Sequence, residues 1–82
     1  MGKISLSYIL SENIKDYCGI KNSTYIQVGA KTNISERNIR KIVHQECVPR
    51  IDTVEKIANG LDIPVVSLVT KNGIVDHFRN NK

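Results

Sequence analysis

The sequence predicts an all-α fold of five short helices, and three observations carry that expectation. Apolar residues recur at spacings of three and four along most of the chain. Polar links with Asn, Gly or Pro at the breaks separate the stretches so marked. Residues suited to cap a helix stand where two of the stretches begin, Thr24 and Ser35. With 82 residues the chain suits one small domain, taken here as residues 1–70 followed by a tail at 71–82.

The elements follow in order. Leu6, Ile9, Leu10, Ile14, Tyr17 and Cys18 mark an amphipathic helix from about residue 5 to 18, and 19–23 reads as its exit and a loop. Thr24-x-x-Gln27 is a capping box that starts a second helix at Tyr25, with Val28, Gly29 and Thr32 inward. Gly29 costs about 1 kcal/mol relative to Ala inside a helix, which predicts a close approach of helices two and three. Asn33 stands at a sharp turn, where Asn tolerates the left-handed conformation. Ser35 caps a third helix with Glu36 in its first turn. The stretch 45–50 is a loop containing Pro49. Ile51, Val54, Ile57, Ala58 and Leu61 give a fourth helix, with Asp52 near its start. Pro64 opens a fifth, with Val65, Val66, Leu68 and Val69 as its apolar content, ended by Lys71, Asn72 and Gly73. The tail then carries Ile74, Val75 and Phe78.

The third helix has two unlike sides. At about 100° per residue, Ile39, Ile42 and Val43 share one arc, and Arg37, Arg40, Lys41 and His44 the opposite one. The net charge of +4 has the same location. Residues 21–50 hold six Lys or Arg and two Glu, a net of +4, while the remainder balances to zero. A polyanionic partner is the natural inference. A short helix with one buried apolar side and one basic side is what the major groove of DNA accepts.

Taken together, helices two and three and their turn resemble the lambda-repressor/Cro (Xre-type) family of helix-turn-helix DNA-binding domains. The resemblance covers residues from about 6 to 69. Val28-Gly29 matches an apolar-then-small pair, and Asn33-Ile34-Ser35 stands at the family's Gly-apolar-Ser turn. Ile39 and Ile42 match inward positions of the recognition helix. The run from Pro49 to Ala58 resembles the loop and fourth helix, and Leu61-Asp62-Ile63-Pro64 the step into the fifth. The chain departs from the pattern at Tyr25, where many members have a Gln that touches a phosphate, and at Gly29, where Ala is commoner. It departs again at Val43 for Glu, Gln45 for Gly, and Arg50 for a capping Ser or Thr. The resemblance implies a five-helix DNA-binding domain. The expected function is that of a small transcriptional regulator, a repressor of phage or bacterial type. It would act as a homodimer on an inverted repeat in double-stranded DNA.

The expected base-facing set is Ser35, Glu36, Arg37, Asn38, Arg40, Lys41 and His44. Arg37 is the choice for a guanine edge, since a bidentate contact discriminates by roughly 1–3 kcal/mol. Glu36 accepts from cytosine or serves the helix start, and Asn38 reaches adenine or backbone. Arg40, Lys41 and His44 meet either bases or phosphates. The phosphate set is Thr24, Tyr25, Lys31 and Arg50, with Thr24 and Arg50 flanking helix starts. Ile26 falls on the outer side of helix two, over a neighbouring loop. Ile74, Val75 and Phe78 have two readings, a fold back onto the core or a dimer contact, and the dimer contact is the one carried forward.

Other classes are set aside. No apolar run approaches a membrane span, and the serines at 5, 7 and 11 break the stretch after Lys3, so no signal peptide is expected. Gly2 starts no myristoylation pattern, because the sixth residue is Leu6. Cys18 and Cys47 lack the close pairing of a zinc site and are expected as reduced thiols in a cytoplasmic protein. Paired carboxylates, a phosphate-binding glycine loop and a nucleophile–base signature are missing, so no enzyme, cofactor or small-molecule ligand is expected. The rival function is a protein-interaction module, an antitoxin or accessory factor, docking through Ile26 and the tail.

Overall fold

A computed structural model describes residues 5–80; the expectations placed on Gly2 and Lys3 lie outside that range. The described residues form six helices and no strand: α1 Leu6–Lys21, α2 Tyr25–Thr32, α3 Glu36–Val43, α4 Ile51–Leu61, α5 Val65–Val69 and α6 Gly73–Asn80. None of these helices is long and apolar enough to cross a membrane.

Helix α1 is three residues longer than expected at its end. Ser5 caps its start by accepting from the Tyr8 amide at 3.1 Å. The helix runs through Gly19, and Asn22 closes it in the left-handed conformation at φ 52°. A single exposed Gly is too small a penalty to stop a helix whose true C-cap stands three residues on. Its buried face is Leu10, Ser11, Asn13, Ile14 and Tyr17. Leu6, expected inward, lies one turn too early to be covered and is 43 % exposed. Helix α1 is the central post, packing against α3, α5 and α6.

The α2 capping box forms as expected: Thr24 Oγ1 accepts from the Gln27 amide at 3.1 Å, and the Thr24 amide donates to Gln27 Oε1 at 2.9 Å. Val28, Gly29 and Thr32 are its buried side. Asn33 takes the left-handed conformation (φ 59°), and the Ile34 amide donates back to the Gly29 carbonyl at 3.1 Å. The predicted close approach at Gly29 is made by this turn: a Cβ there would stand 2.6 Å from the Ile34 carbonyl oxygen. A second approach brings α4 onto α2, where a Cβ on Gly60 would lie 2.5 Å from the Lys31 carbonyl oxygen.

In α4 the inward set is Val54, Ile57, Ala58 and Leu61. Ile51, expected with them, is 79 % exposed because it opens the helix, a turn short of the core. Pro64 sits at the N-cap of α5 rather than inside its first turn. Only Ser67 and Leu68 of α5 are buried, and Val66 is 63 % exposed. A five-residue helix has one inward stripe, and the four apolar residues of this one point around most of its circumference.

The tail is the largest correction. Residues 73–80 form α6, which packs on α1 and α5, and Ile74 is fully buried in the core. Ile74 is therefore removed from the expected dimer contact, while Val75 and Phe78 are half-buried. Phe78 lies against Tyr17, their ring centres 6.0 Å apart. Asn13 fastens this end of the molecule: its amide nitrogen donates to the Leu68 and Thr70 carbonyls at 2.6 and 2.9 Å. Its oxygen accepts from the Ile74 amide at 3.4 Å. A buried polar side chain of this kind is satisfied by main chain that periodicity does not reveal.

Candidate nucleic-acid interface

Helix α3 begins at Ser35, whose hydroxyl accepts from the Asn38 amide at 3.2 Å. Ile39, Ile42 and Val43 are buried, and Ser11 of α1 donates its hydroxyl to the Val43 carbonyl, fixing the far end of the helix to α1. Ser35, Arg37, Asn38, Arg40 and His44 are exposed, and Glu36 and Lys41 half-buried. His44 forms the C-cap. The helix is thus capped at its start, fastened to α1 at its far end and packed along one side, while a cationic face is turned outward.

The face resolves into a centre and two flanks. Arg37 and Lys41, one turn apart, occupy the centre opposite the buried stripe. On the flank toward α2, Arg40 Nη2 and Nε lie 2.7 and 2.8 Å from Glu36 Oε2, and the Arg40 guanidinium stands 5.2 Å from the centre of the Tyr25 ring. A helical pair in this orientation is worth about 0.3–0.5 kcal/mol. Stacking at an exposed site adds about 0.5–1 kcal/mol. Neither is large enough to hold the fold, so their main effect is to restrict one long side chain. Lys15, Cys18, Ser23, Thr24, Tyr25 and Arg40 line a shallow cleft here. On the other flank, Ser35 and Asn38 border a groove with Arg50, Thr53 and Lys56. Arg50 Nε is 3.9 Å from Asp52 Oδ1, with both side chains largely in solvent, a separation and exposure at which the pair contributes little.

Of the expected set, the structure gathers Thr24, Tyr25, Glu36 and Arg40 at one flank and Ser35, Asn38 and Arg50 at the other. Lys31 stands apart. Its Nζ donates to Tyr17 Oη at 3.4 Å in a cleft shared with Lys21, Gln27, Asp62, His77 and Phe78, and no residue of α3 lines that cleft. Lys21 Nζ lies 4.7 Å from the Phe78 ring centre in the same place. Sequence reasoning missed Lys15 and Lys56, the cations that join the two flanks. Both sit on other helices, outside the 21–50 stretch where charge is in excess, so no local pattern marks them.

Cys18 and Cys47 are both free thiols. Burial pushes the Cys18 thiol up from its ordinary value, and the Asp16 carboxyl is pushed up by desolvation and by neighbouring Glu12, with Lys15 acting the other way. Comparison with protein-family models, with curated proteins and with solved structures finds no match to this chain.

Proposed function

We propose that the chain is a sequence-specific DNA-binding transcriptional regulator, with α2, the turn at 33–35 and α3 acting as a helix-turn-helix. The observation that carries this reading is α3 itself: its buried stripe fixes it to α1 and α2, and its outward side presents Arg37, Arg40, Lys41 and His44. The only anion on that helix, Glu36, is already paired with Arg40. Such a face suits the negative potential and width of the major groove. The likeness of residues 6–69 to the lambda-repressor/Cro pattern supports the same function, with repression by a homodimer on an inverted repeat as the mode of action. Arg37 and Lys41 read base edges, and Thr24 and Arg50 meet phosphates. The protein-docking alternative loses Ile74, which is in the core; Val75 and Phe78 are half-buried, and Ile26 is 62 % exposed.

The test is selection of binding sites from a pool of random duplexes at about 150 mM salt, where unspecific phosphate contacts are partly screened. An enriched inverted repeat is the expected outcome. A pool that stays random with folded protein would sink the proposal.

A further inference from the structure

We propose that Arg40 is a phosphate-contacting residue set in place before DNA arrives, with Tyr25 as its positioning residue, so that it takes no part in base reading. This rests on the DNA-binding reading above and assigns one side chain within it. A guanidinium has five N–H donors in a fixed plane. The Nε and Nη2 of Arg40 both point to Glu36 Oε2, at 2.8 and 2.7 Å, and the Tyr25 ring lies 5.2 Å from its central carbon. One edge is therefore occupied and the ring lies alongside, which leaves the edge bearing Nη1 as the free donor. Arg40 lines a cleft with Lys15 and the hydroxyl-bearing residues Ser23 and Thr24, and Tyr25 contributes its ring there. Two cations beside hydroxyl groups match a singly charged phosphodiester, whereas guanine O6 and N7 are read by a guanidinium whose fork of donors is free, and that of Arg40 is partly taken up by Glu36. Arg37 and Lys41 each lie one residue further from this flank than Glu36 and Arg40, and among the described residues neither has a charged or ring partner on α2, so base reading falls to the centre of the face. Restricting a long side chain in advance lowers the entropy lost on binding.

The experiment compares wild type with R40Q, R40K, Y25L and Y25F, using a duplex enriched by selection and a random-sequence duplex, each over a series of salt concentrations. R40Q is expected to lower the slope of log affinity against log salt by about 1 on both duplexes, with base preference unchanged at every position. Y25L and R40K keep the slope and weaken both complexes by about 2- to 10-fold, the range expected for one freed side chain. Y25F behaves as wild type. In the free protein, the Arg40 Nε–H resonance is shifted by the aromatic ring in wild type and Y25F and returns to the position of a solvated Arg in Y25L. R40Q that relaxes preference at one base pair overturns the assignment, because Arg40 then reads a base. Wild-type affinity in both Y25L and R40K overturns the positioning role, and R40K, at an exposed site, keeps this arm decisive if Y25L fails to fold. Wild-type protein that binds neither duplex overturns the DNA reading itself and this assignment with it.

Discussion

At the scale of single residues, environment separates side chains of the same type. Burial holds the Cys18 thiol protonated above its ordinary range, whereas Cys47 is exposed. Since the thiolate is the nucleophile, iodoacetamide at neutral pH is expected to label the exposed Cys47 faster than the half-buried Cys18. Equal labelling rates in the folded protein would refute this. Asp16 gives a pH prediction. Its carboxyl titrates above 3.8 when folded, so over that window the folded state holds more proton than the unfolded one and stability falls as pH rises. By neutral pH the charge is a net penalty, and Asp16→Asn is expected to raise the melting temperature there. Well below pH 3.8 both forms are neutral and the gain vanishes; a gain independent of pH would contradict the assignment. On α3, Arg37→Ala is expected to lower specific affinity by about 1–3 kcal/mol and relax preference at one base pair. Equal losses on selected and random DNA would move Arg37 to the phosphate set.

Between elements, close approaches and a few polar fasteners set the geometry. At Gly29 two effects oppose each other. Replacing it by Ala favours the helix by up to about 1 kcal/mol, but the new methyl carbon meets a backbone carbonyl at 2.6 Å, and overpacking of that kind costs about 1–3 kcal/mol. A carbonyl in a three-residue turn has little room to yield, so Gly29→Ala is expected to destabilise by about 1 kcal/mol or more. A variant that melts higher than wild type would show the turn to be compliant. Asn13→Ala removes partners from the Leu68 and Thr70 carbonyls and from the Ile74 amide together. Unsatisfied buried groups cost about 1–3 kcal/mol, so denaturant unfolding is expected to show a loss of at least about 2 kcal/mol. A smaller loss would mean that water replaces the amide. Most of the helix starts were legible in the sequence because caps are local, as at Thr24 with Gln27 and at Ser35. The α1 end was not, since Asn22 rather than Gly19 supplies the left-handed cap.

For the whole molecule, shape bears on how two copies would share a duplex. The described residues span 34 × 32 × 21 Å, and in the proposed two-fold dimer the two α3 helices would lie about one turn of B-DNA apart, near 34 Å. The proposed dimer is therefore expected to select half-sites whose centres lie about 10–10.5 base pairs apart, read from the enriched duplexes. A single half-site would indicate monomeric binding. The burial of Ile74 leaves half-buried Val75 and Phe78 on α6 and exposed apolar residues elsewhere, including Val48, Ile51 and Val66, as candidates for a dimer surface.

Read alone, the amino-acid sequence determined the all-α class, the boundaries of α2 and α3 to within a residue, and the two-sidedness of α3. These depend on caps and on a 3.6-residue period, which act over a few positions of chain. Only the tertiary structure decided that Ile74 belongs to the core, that Lys31 faces a cleft away from α3, and that Arg40 is bracketed by Glu36 and Tyr25. Each of those depends on a partner far along the chain or on which of several nearby partners a long side chain meets. An apolar residue near a terminus has the same local pattern whether it meets its own core or another copy. The three-way junction of α1, α5 and α6 around Asn13 is what makes that choice.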